Sequence, residues 1–398
     1  MFNYIFIPAG SVVRREADLL LIYDDKHVLQ ALPYGKTFVL DVGNSLGDGI
    51  IDHHQPGTED LCVASIIMKN PEECIGRHLK DSDKYYLVTH LNPDFDALGS
   101  AYLAERYIKE RSLPDFAINF VDYILEVDSG KKQLNREHTI EPFSLVLAIS
   151  ESIRMDSTIL PKDKDLQNLK QTFRLFDLIW DVLSEGYRLK DGDWEILTGY
   201  QKYISLIKYD FAIYTADLRE RSEVRRVKLN KKDSDGSSSV DCLITKFPQS
   251  ILWKYWGRGE TDYSPNHKGF TMTVAFLPSK NTRAIIAVDP TSKYTLRGLG
   301  LYIDYLEMTR LLENNSIGNI VGKKRPGFHR QNPWYDGRSA MHNFTIIDTP
   351  REGSKLPEDA IIDATLNYTV WNNAFPEREY GDLKPEEIMV YFDRKSDI

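Results

Sequence analysis

Cysteine is scarce in these 398 residues: Cys62, Cys74 and Cys242 are far apart, odd in number and without a C-x-x-C spacing. That pattern excludes a disulfide framework and a zinc–thiolate site, and it fits a reducing cytoplasm. Long apolar runs are missing too. No stretch approaches the ~20 residues that cross a bilayer. The apolar start, Met1 to Gly10, has no basic residue before it and runs straight into Arg14 and Arg15, which is not a signal-peptide pattern. A soluble, cytoplasmic protein with no membrane contact is expected. Positive charge is not in excess: 50 Lys and Arg against 59 Asp and Glu leave a net charge of −9. A protein that coats long nucleic acid with its whole surface is thereby excluded, while a local basic groove is not.

What is present is enough to build large cores. Hydrophobic residues make up 42% of the chain, with 22 Tyr and 17 Phe, and the length exceeds one ordinary core, so two domains are expected. Asn3 to Ile7, Leu19 to Tyr23 and Thr37 to Leu40 read as short buried strands, the last running into Asp41-Val42-Gly43. Ile50-Ile51 leads into Asp52-His53-His54. A helical stretch begins at Leu61 to Met68, and Tyr85 to Thr89 is another continuous apolar strand. Ala97 to Lys109 then has a helical apolar face. Strand, acidic loop, helix is the repeat of a doubly wound, mostly parallel α/β sheet, whose ligands sit at strand C-termini. Phe116 to Val127 ends in Asp128-Ser129-Gly130, a third acidic stop read as another strand end.

From Asp163 the periodicity is helical, through Leu166, Leu169, Phe173, Phe176, Ile179, Trp180 and Leu183, and a second long helix is expected from Trp194 to about Arg221. Residues 230–239 lack any apolar side chain and read as a flexible linker. The predicted division is a metal-binding domain over 1–229 with its helical connector (about 163–221), the linker, and a smaller α+β domain over 240–398. In that second domain, strands are expected at Asp241 to Phe247, Phe270 to Leu277, Arg283 to Val288 and Phe344 to Ile347, with a helix at Leu299 to Leu312. The polar tail from Pro376 is expected to be peripheral.

The chemistry concentrates in two places. In His90-x-Asn92-x-Asp94-x-Asp96, alternation along a strand and its following turn lets His90, Asp94 and Asp96 point to one place, suited to two divalent ions about 3.5–4 Å apart. Imidazole mixed with carboxylate suits Mn²⁺, with Mg²⁺ or Co²⁺ as alternatives, better than structural zinc. Taken alone, Asn-Pro-Asp is also a good turn, and Asp96 could simply cap the next helix. It is not alone: Asp41, Asp52-His53-His54 and Asp128 fall at comparable stops, which is the signature of a convergent ligand cluster.

Asp52-His53-His54 together with His90-x-Asn92-Pro93-Asp94-x-Asp96-Ala97-x-Gly99-Ser100 resembles the DHH phosphoesterase superfamily over about residues 37–130. Asp41-Val42-Gly43, Asp52-His53-His54-Gln55 and Val127-Asp128-Ser129-Gly130 are similar to its Myg-type exonuclease branch, beside the RecJ-like enzymes. The resemblance implies a DHH-type fold and a Mn²⁺-dependent, two-metal phosphoesterase of exonuclease or oligonuclease type. It also implies roles: His90 and Asp94 on one ion, Asp96, His53 and Asp128 on the other, and Asp41 bridging both. Asp52 would orient a His ring, His54 would face the substrate phosphate, and Asn92 would lie toward the substrate. Water shared by the two ions would attack phosphorus in line. Asp122 competes with Asp128 for the fourth acidic position, the pair being compatible with one helical or turn segment, on which Asp122 would be a solvated helix residue. One feature departs from the family: there the H-x-N-x-D-x-D strand precedes Asp-His-His, whereas here it follows, which implies a permuted sheet.

A DHH-associated second domain would grip the phosphate. The family's Gly-Gly-His stretch is not evident, and the candidates are Arg338, His342, His329 and Arg297, weighed against an Arg338–Asp336 surface pair and an ordinary core around Trp334 and Tyr335. The basic run Arg219, Arg221, Arg225, Arg226, Lys228, Lys231 and Lys232 is either a solvated face or a polyanion-steering patch. The expected partner is short or single-stranded nucleic acid or a nucleotide, and a homo-oligomer is allowed. The alternatives are a small-molecule phosphatase or pyrophosphatase, and a nucleotide-sensing module without turnover.

Overall fold

Short, uninterrupted apolar runs build the parallel strands that carry the His and Asp clusters of the first half of the chain. The computed structural model describes residues 1–24, 27–54, 61–189, 192–232, 234–313, 334–337, 345–350 and 353–367. It divides into two compact units, Met1–Gly130 with Thr139–Lys208, and Lys131–His138 with Tyr209–Ile398. The architecture is mixed α/β, and no helix among the described residues is long and apolar enough to cross a membrane.

The first unit contains β1 (Phe2–Ile7), β2 (Val12–Glu16), β3 (Leu19–Asp24), β4 (His27–Pro33), β5 (Thr37–Leu40), β6 (Leu46–Gly47) and β7 (Ile50–Ile51). Then come α1 (Val63–Lys69), α2 (Pro71–Cys74), β8 (Tyr85–His90), α3 (Phe95–Glu110), α4 (Ala117–Asp128), α5 (Pro142–Met155) and α6 (Lys164–Ser184). One sheet runs in the order β1-β8-β5-β7-β6. Its first four strands are parallel, and β6 closes the edge antiparallel to β7. Because β5 lies between β8 and β7, the strands that run into His90, Asp41 and Asp52 are consecutive in the sheet.

The two faces of this sheet are covered differently, which corrects the doubly wound expectation. Leu19 to Tyr23 does not join the parallel sheet. It is β3, the centre of an antiparallel sheet β2-β3-β4, whose Val13, Leu20, Ile22 and Leu32 pack with Ile7, Val39, Ile50 and Val88. Alternation places Phe38, Leu40 and Leu87 on the opposite face, all buried, where α3 lies against β5 and β8 and is flanked by α1, α4 and α6. The helices are locked by rings. Tyr102 of α3 meets Phe120 of α4 and Phe173, Phe176 and Trp180 of α6 edge-on at centroid separations of 5.3–6.0 Å, an arrangement worth about 0.5–1.5 kcal/mol per pair beyond burial. Gly99 permits the α3–α4 approach: a Cβ there would stand 2.5 Å from Cδ1 of Ile124.

Phe116 to Val127 is a helix, not a strand. Its apolar residues at 117, 120, 121, 123, 124 and 127 are buried, a 3–4 spacing that a continuous-run reading overlooks. Asp128 is therefore the last residue of α4 rather than a strand end. The expected connector helix over 194–221 begins later, as α7 (Gln201–Glu220), after two 3₁₀ turns at Trp194–Ile196 and Thr198–Tyr200.

The second unit holds β9 (Ser222–Lys231), β10 (Ser234–Lys246), α8 (Trp253–Gly259), β11 (Met272–Leu277), β12 (Arg283–Val288) and β13 (Tyr294–Thr295). It continues with α9 (Leu299–Glu313), β14 (Tyr335–Asp336), β15 (Ile346–Asp348) and α10 (Glu358–Asn367). Its sheet runs β13-β9-β10-β11-β12-β15-β14, with only β10–β11 parallel among its pairings. Leu299, Ile303, Ile361 and Ile362 pack into its core, in line with the α+β expectation. The linker expectation fails. Residues 230–231 and 234–239 lie in β9 and β10, Asn230 opposite Ser237 and Lys228 opposite Ser239. A two-stranded ladder is satisfied by backbone hydrogen bonds and needs no apolar side chains at its far end. The chain passes from one compact unit to the other at Gly130/Lys131, His138/Thr139 and Lys208/Tyr209, the last inside α7. The tail from Pro376, and Phe344, lie outside the described residues.

Candidate metal centre

Each site residue is delivered by a strand end or a helix end. Asp41 follows β5 at φ +60°, and Gly43 (φ +110°) and Asn44 (φ +55°) continue a sharp turn. The Asp41 N–H still donates to the carbonyl of Ile51 at 3.0 Å, which fixes the strand end. A non-glycine residue at such a φ carries a conformational cost of about 1–2 kcal/mol, and here it sets the direction of a buried carboxylate. Asp52, His53 and His54 follow β7, and His90 is the last residue of β8. Asp94 is the N-cap of α3, its side chain accepting from the N–H of Ala97. Asp96 lies in the first turn of α3.

The ligand atoms converge as three groups, each within 4.8 Å: Asp41, His53 and His54; Asp41, His90 and Asp94; and His53, Asp96 and Asp128. Asp41 faces two of them with different oxygens. Its Oδ1 lies 3.2 Å from Nε2 of His53 and its Oδ2 lies 3.5 Å from Nε2 of His90. His90 Nε2 is 3.8 Å from Oδ1 of Asp94.

The imidazoles are aimed from behind. Nδ1 of His53 pairs with the carbonyl of Leu61 at 2.9 Å, and Nδ1 of His90 with the carbonyl of Leu91 at 3.0 Å. A carbonyl only accepts, so each Nδ1 carries the proton in the neutral ring and Nε2 presents the lone pair. His54 differs: its Nδ1 lies 2.6 Å from Oδ1 of Asp52. Asp52 is fully buried and also accepts from the N–H groups of Asn44 and His54. The His54 side chain is 33% exposed, and its Nε2 is on the far side of the ring from Asp52.

Asp96 does not cap its own helix. Its oxygens accept from the N–H groups of Val63 (2.8 Å) and Ala64 (3.1 Å) at the start of α1, and from Oγ of Ser100 (3.1 Å). Ser100 could have been found from sequence as the helical i+4 neighbour of Asp96. Leu61, Val63 and Ala64 act through backbone atoms and leave no side-chain signal. Asp122 is exposed on the outer face of α4, so Asp128 takes the fourth acidic position. Asn92 is exposed in a left-handed turn, its N–H donating to Asp165. Arg297 is exposed ahead of α9, and His329, Arg338 and His342 lie outside the described residues. The basic run is partly neutralised in place, since Arg221 pairs with Asp217, Arg225 with Glu223 and Arg226 with Asp241.

Charge in the cluster is unbalanced. Burial disfavours the charged His53 ring, but the Asp41 carboxylate outweighs it and pushes the pKa up to about 11. His90 is likewise raised against its burial, by Asp41 and Asp94, to about 12. Burial would raise Asp41, yet His53 and His90 hold it far below the usual carboxylate range. For Asp96 and Asp128 the His53 charge compensates only in part. Burial and then the Asp41 charge lift Asp96 to about 6, and burial and then the Asp96 charge lift Asp128 well above its ordinary value. Oδ2 of Asp128 is buried without a hydrogen-bond donor among the described residues, an arrangement that costs about 1–3 kcal/mol or more for a charged group. A cation is the partner this donor set fits. No family model, no curated protein and no solved structure matches the chain, so the functional reading rests on the geometry of the cluster.

Proposed function

We propose that this chain is a two-metal phosphoesterase of the DHH type, with a permuted motif order, that hydrolyses phosphodiester bonds in short or single-stranded nucleic acid in the manner of an exonuclease or oligonuclease. The observation that carries the reading is Asp41, whose two oxygens face His53 and His90 separately, as suits a carboxylate that would be shared between two ions. Asp41, His90 and Asp94 would hold one ion, and Asp41, His53, Asp96 and Asp128 the other, Mn²⁺ being the first choice for mixed imidazole and carboxylate donors. Divalent ions at such a site acidify water and draw charge from a phosphoryl oxygen. The chain's own contribution is to aim the ligands and to place His54, steadied by Asp52, beside the centre, where its Nε2 suits contact with a phosphate oxygen. The reversed order of the two motifs is no obstacle, because β8 sits directly beside β5 and the ligands need only converge.

The test is hydrolysis with Mn²⁺ across 5′- and 3′-labelled RNA and DNA oligomers, dinucleotides and pyrophosphate. Stepwise shortening of oligomers is the expected result. Cleavage of pyrophosphate alone would reassign the chain to the small-molecule phosphatases, and binding without any product would reassign it to the sensing modules.

A further inference from the structure

The Asp41–His90–Asp94 and His53–Asp96–Asp128 clusters are built differently. At the His53–Asp96–Asp128 position His53 and Asp96 are enclosed and held before any ion arrives, and half-buried Asp128 adds a buried Oδ2. The His53 side chain is 5% exposed, and Asp96 is 1% exposed. Residues 61–64 wrap the position through backbone atoms: the Leu61 carbonyl fixes the His53 ring, and the Val63 and Ala64 amides, with Ser100, fix Asp96. Oδ2 of Asp128 is already desolvated with no donor. Folding has stripped water from these groups, so an ion entering there gains strong contacts with little further ordering or desolvation.

The Asp41–His90–Asp94 position sits at the rim. The Asp94 side chain is 59% exposed and that of His90 15%, and the Asp94 oxygen nearest His90 is also the acceptor for the Ala97 amide. There, water competes for the ligand and for the ion.

Resting on the two-metal reading above, we infer that the positions are unequal. The His53–Asp96–Asp128 position retains its ion, while the Asp41–His90–Asp94 position loads and empties with the surrounding ion concentration. The chain then passes through a stable one-ion state, and availability of the second ion regulates the site.

Equilibrium dialysis at pH 8, with free Mn²⁺ read by its electron paramagnetic resonance signal, tests this on the full chain. Wild type should show a tight and a weak class. Asp128→Asn or Asp96→Asn should lose the tight class, by on the order of 100-fold in affinity, while Asp94→Asn keeps it and loses the weak one. Circular dichroism melts of all variants establish folding, and the two enclosed variants back each other up if one misfolds. A single detected ion that Asp94→Asn spares and Asp128→Asn removes also supports the inference. Two indistinguishable classes, or loss of the tight class in Asp94→Asn, overturns the inference and leaves the two-metal reading standing. No Mn²⁺ bound by wild type overturns that reading itself.

Discussion

At the scale of single residues, Asp41 carries the most and can be altered most cleanly. Its φ of +60° is tolerated by asparagine better than by almost any other non-glycine residue, so Asp41→Asn keeps the turn while removing the charge between His53 and His90. Mn²⁺-dependent hydrolysis should fall on the order of 100-fold or more, with a melting temperature within a few degrees of wild type. Near-wild-type turnover would remove Asp41 from the centre. Asp41→Ala is the poorer test, because it adds backbone strain of about 1–2 kcal/mol. The histidines yield a second prediction. Their pKa values, about 11 for His53 and about 12 for His90, mean that both rings are protonated at neutral pH without metal, whereas ligation needs Nε2 deprotonated. Ion binding must therefore release protons, and affinity must rise as pH is raised from 6 to 8. Titration calorimetry of Mn²⁺ into protein in two buffers of different ionisation enthalpy reads the proton count. Identical apparent enthalpies would show that the rings enter the complex already neutral.

At the scale of elements, two glycines set the distances between ligand-bearing segments. Gly43 turns the chain after Asp41 at φ +110°, and a Cβ there would meet Cγ2 of Ile50 at 3.0 Å and Cγ2 of Val13 at 3.2 Å. Gly99 brings α3, with Asp96, against α4, with Asp128. Gly99→Val should cost about 1–3 kcal/mol by overpacking, read as a lower urea midpoint at unchanged slope, and should weaken Mn²⁺ binding by shifting Asp128 relative to Asp96. Undiminished binding in a destabilised variant would show that α4 can slide without moving its carboxylate. The same elements differ in how plainly the sequence marks them. Val39, Leu40, Ile50, Ile51 and Val88 form continuous apolar runs because parallel strands are buried on both faces, so the polar residues that end them stand out as site candidates. Asp128 is recognisable as acidic, but whether it ends a strand or a helix is left open, since Phe116–Val127 satisfies a buried-strand pattern and a helical one together. The 230–239 segment misleads for the opposite reason: polarity reports side chains, and the hairpin is held by its backbone.

Across the whole molecule, order along the chain and order in space diverge, and function follows the second. His90 comes 49 positions after Asp41 in sequence, yet β8 is hydrogen-bonded beside β5, which no local pattern in the sequence specifies. The sheet β2-β3-β4 was likewise hidden, because alternation in Leu20 and Ile22 reveals a half-buried strand but not which sheet it covers. The convergence of 41, 52–54, 61–64, 90–100 and 128 from six separate elements and loops makes a molecule-wide prediction. Hydrogen exchange measured with and without Mn²⁺ should show slowed exchange in those segments, most clearly at the Val63 and Ala64 amides, whose acceptor Asp96 becomes fixed by the ion, and at the Asn44 amide held by Asp52. β10 and β11 draw on a separate core and should exchange at unchanged rates. Protection centred on 272–313, with 41–64 unaffected, would place the ion elsewhere and undo the assignment of every ligand together, because all of them depend on the same few strand ends meeting at one point.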